Sequence, residues 1–470
     1  MMLFPDDFML IPDENTPERP VREYQVAARA GCSRRTFLIG GTLAALAGGV
    51  SWWAASRFFH SQLQPAAVPV DKHRIFNFPL TAYSPDLEYA WLPDSRHIAC
   101  VTQSEIFLVD VESGKMVWKQ DLPSPAPSSP NTLLVHWSPD GKRVIVVGER
   151  EIYAQDLIPG GMQIVWPGPS QFFLTYENEH EQRVAFSPDE TLLAMANPEV
   201  SASVGIWNIQ EGRQVAECQI AQGFTLGDQF DMAWAPDGAS LAVYTGSARG
   251  ISSLTFPALT LWRTSDGHLL WASSLTDPGN NDGTRPGRIK WSPDGSAVAY
   301  TYTTSLATYT TRLTVLDAKT GAIHFQTPMA SFPFIQIPQL LQSGNIFAWS
   351  PDSTRLAFLI AENGRPGIQM CDALTGQLLF TCQSVQEQPG TLFWSPDGRY
   401  LVADTLQFWD GQSGEALFSY TAPLFAERLL WSPDSHFLAV HTTTSRNCQQ
   451  VAWGRTNCTA TFALQVFQVR

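Results

Sequence analysis

Three places in the sequence bring together residues that could do chemistry. His180 lies between Glu179 and Glu181, a set that could hold a metal or shuttle a proton, although a solvated loop is the commoner source of such a run. Asp277-Pro-Gly-Asn-Asn-Asp-Gly283 offers oxygen ligands of the kind calcium takes, but its spacing misses the Asp-x-Asp-x-Asp-Gly pattern and favours a turn-rich loop. Cys448 and Cys458 flank what should be a late hairpin. Outside the cytoplasm a disulfide there would close a short loop and stabilise by about 3 kcal/mol; two unpaired buried thiols are the alternative. None of the seven cysteines stands in CxxC or CxxCH spacing, which argues against thiolate zinc sites, redox pairs and covalent haem.

The motifs that announce enzymes are missing. There is no GxSxG nucleophile elbow, no GxxxxGK[ST] phosphate loop, no HExxH helix and no full EF-hand loop. Asp317-Ala-Lys-Thr-Gly321 and Glu112-Ser-Gly-Lys-Met-Val-Trp118 resemble the Asp-Ala-x-Thr-Gly-x-x-x-Trp units of quinoprotein dehydrogenases, which are eight-bladed propellers. That family has no Ser-Pro-Asp turns, and the adjacent cysteine pair is absent here. The expectation is a protein without catalysis, metal or cofactor, with a propeller enzyme of this quinoprotein-like kind as the alternative.

The elements that would position any site are written in a repeat. One phrase returns eight times, beginning at Trp91, Trp137, Phe186, Trp234, Trp291, Trp349, Trp394 and Trp431, in the form Trp-Ser-Pro-Asp-Gly or a close variant. The spacing of 37 to 58 residues suits one four-stranded blade per unit. Ser, Pro, Asp and Gly fill the four positions of a type I turn, with Pro fixing φ at the second and Gly relieving strain at the fourth. Short apolar runs follow, such as Val144–Val147 and Leu241–Tyr244, without strict alternation, so both faces should be buried.

A second turn recurs in each unit, as in Val111-Glu-Ser-Gly-Lys115 and Ala318-Lys-Thr-Gly-Ala322, and separates a third strand from a fourth. Only seven second turns accompany the eight first turns, because the chain reaches Arg470 within the third strand of the last unit. The run His73–Phe78 has the alternation and the place to supply the missing strand and pair the open edge. The expected fold is all-β: an eight-bladed β-propeller over residues 72–470, its last blade closed by an N-terminal strand.

These repeats resemble the WD-repeat and TolB-type propeller families. A literal Trp-Asp pair ends a third strand only at Trp409-Asp410, and the Gly-His pair of WD repeats is absent, so that family's buried His-Asp network is not expected.

In this topology both short turns lie on one rim, and the connections of variable length lie on the other. The latter carry Phe172, Phe173, Tyr176, Phe224, Phe230, Phe332, Phe334 and Phe425, which are expected to form an apolar binding face. Packing of these rings against the blades is the plainer alternative.

Composition agrees with a large β core: 44% hydrophobic and 16% charged residues, with 33 Gly and 33 Pro that punctuate helices. A net charge of -14 disfavours nucleic acid as a partner. Residues 1–31 are polar and acidic without period, as a disordered tail would be. Residues 32–56 change character: Ser33-Arg34-Arg35-Thr36-Phe37-Leu38 opens an uncharged run to Ala55, about 28 Å long as a helix and close to a bilayer core. Ser33, Arg34, Arg35, Phe37 and Leu38 resemble a twin-arginine export signal. Arginines precede the span, so the positive-inside tendency puts residues beyond 56 outside the cytoplasm, after a linker at 57–71. The functional expectation is a membrane-anchored or exported propeller that binds a protein, peptide or glycan.

Overall fold

The computed structural model describes residues 67–68, 74–80, 87–102, 104–122, 134–138, 142–147, 152–157, 163–166, 184–197, 202–221, 230–245, 257–274, 285–304, 309–332, 345–362, 365–382, 390–420, 426–451 and 455–469. The chain divides into two units, Met1–Leu63 and Gln64–Arg470. Every regular element described is a β-strand, and all belong to the second unit.

The strands form an eight-bladed β-propeller. Blades 1 to 7 each take four consecutive strands, starting with Glu88–Trp91, Leu134–Trp137, Val184–Phe186, Phe230–Trp234, Arg285–Trp291, Phe347–Trp349 and Leu392–Trp394. Blade 8 takes Ala426–Trp431, Phe437–Val451 and Arg455–Gln468, and its outermost strand is Arg74–Leu80 from the other end of the chain. That strand runs antiparallel to the third, with Leu80 opposite Phe462 and Arg74 opposite Phe467. The expected closure is therefore present, one residue later at its start than the sequence suggested. Ala67–Val68 adds a short parallel fifth strand beside Ser419 and Tyr420 of blade 7.

The first turn follows its predicted chemistry. In blade 5, Gly295 N donates to Ser292 O at 2.9 Å, and Gly295 has φ 72°. The left-handed fourth position costs glycine little and other residues more. Ser95, Ser353 and Ser435 nevertheless occupy it at φ 53°, 62° and 64°. Each serine reaches back to the preceding blade: the backbone N of Asp434, Asp294 and Asp397 donates to the Oγ of Ser95, Ser353 and Ser435 at 3.0–3.1 Å. A cross-blade hydrogen bond thus accompanies the strain at these three turns.

Apolar cores lie between neighbouring blades and complete a circuit. Tyr89 and Ile98 of blade 1 pack with Ala439 and Leu464 of blade 8, and Leu429 and Val440 of blade 8 pack with Phe408 of blade 7. Burial of each of the larger side chains among them, such as Ile98, Leu464, Val440 and Phe408, contributes roughly 1.5–3 kcal/mol. Tryptophans stitch the inner strands: the Nε1 of Trp91, Trp234, Trp291, Trp349 and Trp394 donates to the carbonyls of Leu430, Ala185, Ala233, Lys290 and Ala348 in the preceding blade, at 2.9–3.3 Å. In each case the acceptor immediately precedes the equivalent aromatic of that blade. Phe186 has no such donor, and the buried Nε1 atoms of Trp137 and Trp431 find no acceptor among the described residues.

Candidate functional site

The short-turn rim is rich in serine and aspartate, the residue types of hydrolytic sites, but its groups are engaged with one another. Ser292 is fully buried; its Oγ donates to Asp294 Oδ1 at 2.6 Å and accepts from Ala297 N at 3.0 Å. Ser350, Ser395 and Ser432 repeat this pattern with Asp352, Asp397 and Asp434. Burial pushes the Asp294 carboxyl up, and hydrogen bonds from Ser292, Ser296 and Ser353 outweigh it, so the group stays below its ordinary value. The Asp317-Ala-Lys-Thr-Gly321 segment is a turn of the same economy. Asp317 Oδ1 accepts from Thr320 N at 2.7 Å and Thr320 Oγ1 at 2.6 Å. Asp372 with Thr375 and Asp410 with Ser413 do likewise. The resemblance to a quinoprotein unit thus has a turn-capping role here, and Asp410 of the one Trp-Asp pair shares it.

The innermost strands border the ring axis and carry charge at one register position, three residues before the aromatic. Arg428 of blade 8 pairs there with Glu88 of blade 1, and its guanidinium also lies over the Tyr89 ring. Asp231 of blade 4 meets Arg288 of blade 5 at 3.7 Å and accepts from Ile289 N at 2.9 Å. Burial raises the Asp231 carboxyl above its usual value against the pull of Arg288. Lys290 donates across the next junction to Asn345 Oδ1 at 2.6 Å and Phe347 O at 2.9 Å. Burial, helped by Arg288, lowers this ammonium to about 7. Such a lysine has the pKa of a base or nucleophile, but here both hydrogen bonds spend it on joining blades 5 and 6. Sequence reasoning missed these links; the signal was available in the shared register of Glu88, Asp231, Arg288 and Arg428.

Blade 3 lacks the tryptophan, and a different junction replaces it. His136 of blade 2 stacks on Phe186 at 4.7 Å between centroids, with Nε2 3.8 Å from Glu190 Oε1. Burial lowers this imidazole to about 4, so it is neutral at physiological pH.

Of the aromatic residues expected on the variable rim, Phe230 and Phe332 are placed. Both stand in strands and not in the connecting loops: Phe230 opens the innermost strand of blade 4 opposite Thr245, and Phe332 ends the outermost strand of blade 5 opposite Tyr309. Those strand ends lie at the rim of variable connections. Phe172, Phe173, Tyr176, Phe224, Phe334 and Phe425 lie outside the described residues, as do His180, the Asp277–Gly283 run and the export-signal residues Ser33, Arg34, Arg35, Phe37 and Leu38. Among the described residues no helix is long and apolar enough to cross a membrane, and no group of three His, Cys, Asp or Glu could hold a metal.

The same rim carries the hairpin expected around Cys448 and Cys458, and it is longer than the sequence announced. The second and third strands of blade 8 run far past their neighbours: Ala426 pairs as far as Thr442 and Leu80 as far as Phe462, while among the described residues Ser445–Val451 and Arg455–Thr461 pair only with each other. These seven cross-strand pairs make an arm of about 24 Å. Cys448 and Cys458 stand directly opposite in it.

No protein-family model matches the chain, and comparison with curated proteins finds no match. Among solved structures 1259 chains match, so the architecture is widely shared and does not by itself select a function. One is described as the crystal structure of the eukaryotic initiation factor, with 16% sequence identity, a TM-score of 0.49, and coverage of 81% of this chain and 89% of that one. The likeness is one of fold.

Proposed function

We propose that this protein is a non-catalytic binding propeller, held outside the cytoplasm by its N-terminal segment, whose variable rim captures a protein, peptide or glycan. The observation that carries the reading is the asymmetry of the rims. One consists of near-identical tight turns whose polar groups are consumed internally, whereas the other bears the strand ends at Phe230 and Phe332 and the blade 8 arm. Recognition concentrates on connections of variable length carried by a rigid scaffold. The anchoring part of the reading rests on the apolar run Phe37–Ala55 and the arginines before it.

The test uses the full chain as bait in a native envelope extract. Replacing Phe332 and Phe334 together by Ser should weaken capture about thirtyfold, the loss of roughly 2 kcal/mol that follows removal of aromatic anchors. Lys319→Ala on the short-turn rim should leave capture unchanged. Undiminished capture by a double variant that melts like the parent would refute the assignment of the face. Export is tested by replacing Arg34 and Arg35 with Lys, which should leave the protein inside if the pair is read as a twin-arginine signal.

A further inference from the structure

We propose that Cys448 and Cys458 form a disulfide at the centre of the blade 8 arm. The proposal rests on the reading that the propeller lies outside the cytoplasm, where cystines persist.

Register is the first argument. Of the seven pairs from Ser445↔Thr461 to Val451↔Arg455, Cys448↔Cys458 is the fourth, with three pairs on each side. The only irregularity of this ladder falls between Thr443 and Ser445, where the arm leaves the blade, so nothing shifts the cysteines out of step. Directly opposed residues of an antiparallel pair have Cα atoms about 4.5–5.5 Å apart, inside the 4.4–6.8 Å window that a disulfide spans.

Need is the second. An isolated two-stranded ribbon is marginal in water, and among the described residues this one gains no third strand beyond Thr442 and Phe462. A central cross-link fixes its register, because a slip of one residue would carry every side chain to the other face.

The other described cysteines offer no competing partner. Cys100, Cys218, Cys371 and Cys382 are buried in blade cores, and burial raises all four thiols, the last three to about 12. Cys371 faces Leu378 across its ladder, while the backbone N of Cys382 donates to Ile368 O, so even these two are out of register. Formation of the bridge takes two electrons and two protons from the thiols. They pass to the disulfide of an extracytoplasmic thiol–disulfide oxidoreductase, which becomes a dithiol.

The sequence supplies a direct readout. Trypsin cuts after Arg446 and Arg455, so residues 447–455 and 456–470 separate unless the bridge holds them. The full chain is isolated from cells, denatured with iodoacetamide and digested without reductant. A second sample is first reduced, returned to native buffer and treated with oxidised glutathione. The linked pair, two hydrogens lighter than the sum of its thiol peptides, is expected in both samples, and Cys448→Ser should release 456–470 with Cys458 alkylated. The linked pair in the glutathione sample alone would overturn the native bridge through its compartment and leave the register standing. Two singly alkylated peptides in both samples would overturn the pairing itself, whatever the protein's location.

Discussion

The indole Nε1 of Trp91 donates to the carbonyl oxygen of Leu430 at 3.0 Å, across 339 positions of sequence, and so ties the first blade to the last. The same bond recurs at four further junctions, each time to the residue before the equivalent aromatic one blade back. Trp91→Phe keeps the ring in place and leaves the Leu430 carbonyl without this donor. It should destabilise by about 0.5–1.5 kcal/mol. Trp137→Phe and Trp431→Phe remove donors that have no acceptor among the described residues, and should be neutral or mildly stabilising. Thermal melting of the three variants side by side decides, and equal losses in all three would sink the argument.

The strained serines give a second contrast. Ser353→Ala deletes the hydrogen bond from Asp294 N but keeps a left-handed residue with a Cβ, so it should cost about 1 kcal/mol. Ser353→Gly deletes the same bond and relieves roughly 1 kcal/mol of backbone strain, so it should melt close to the parent. A glycine variant as unstable as the alanine variant would show that the strain was negligible.

The two turn types differ in how they refuse a side chain. Gly295 and Gly321 have similar φ, 72° and 70°. A Cβ on Gly295 would meet Pro236 at an ordinary 3.6 Å, whereas one on Gly321 would fall 2.6 Å from the Trp271 ring, whose Nε1 is fixed on Ala318 O. Gly295→Ala should therefore cost about 1 kcal/mol, and Gly321→Ala about 3 kcal/mol or more as the second turn is forced off the blade beneath it. Comparable denaturation midpoints for the two variants would contradict this.

Acid should unfold the propeller in two phases. His136 is lowered to about 4 by burial, so the unfolded chain takes up this proton first, and stability falls as pH drops from about 6.5 to 4. The charge facing it is Glu190. Asp110 is held down at about 2 by the Ser113 N–H and by Arg96, and the turn aspartates 94, 189, 294, 352 and 434 are lowered because their hydrogen bonds outweigh burial. Their contribution is complete above about pH 4 and is lost below it. In melting measured against pH, His136→Gln should flatten the upper phase, whatever its absolute stability, and leave the lower one. An unchanged slope between pH 6.5 and 4 would remove His136 from this account.

What could be read in the sequence was what is local to a few residues. The Ser-Pro-Asp-Gly turn is encoded within four positions, and the deficit of one second turn pointed to a strand from the N-terminus, found at Arg74–Leu80. The acceptor of Trp91 was illegible because it belongs to a different repeat and is a backbone carbonyl, which no side-chain pattern marks. Phe230 and Phe332 read as members of the connections although Gly227-Asp228 and Pro333 mark the loop boundaries beside them; ladder pairing with Thr245 and Tyr309 draws both into strands. The hairpin around Cys448 and Cys458 was legible, but the length by which it outruns its neighbours was not, because that depends on where Ala426 and Leu80, remote in sequence, stop pairing.

The closing strand also sets a timetable. Leu80 leaves the ribosome roughly 380 residues before its partner Phe462, an interval of about 20–75 s at 5–20 residues per second. Throughout that interval Arg74–Leu80 has no place in the ring, and blade 1 lacks the neighbour whose Leu430 carbonyl receives Trp91. The nascent propeller is thus an open arc with two unpaired ends, and only a chain synthesised past Phe462 can become a ring.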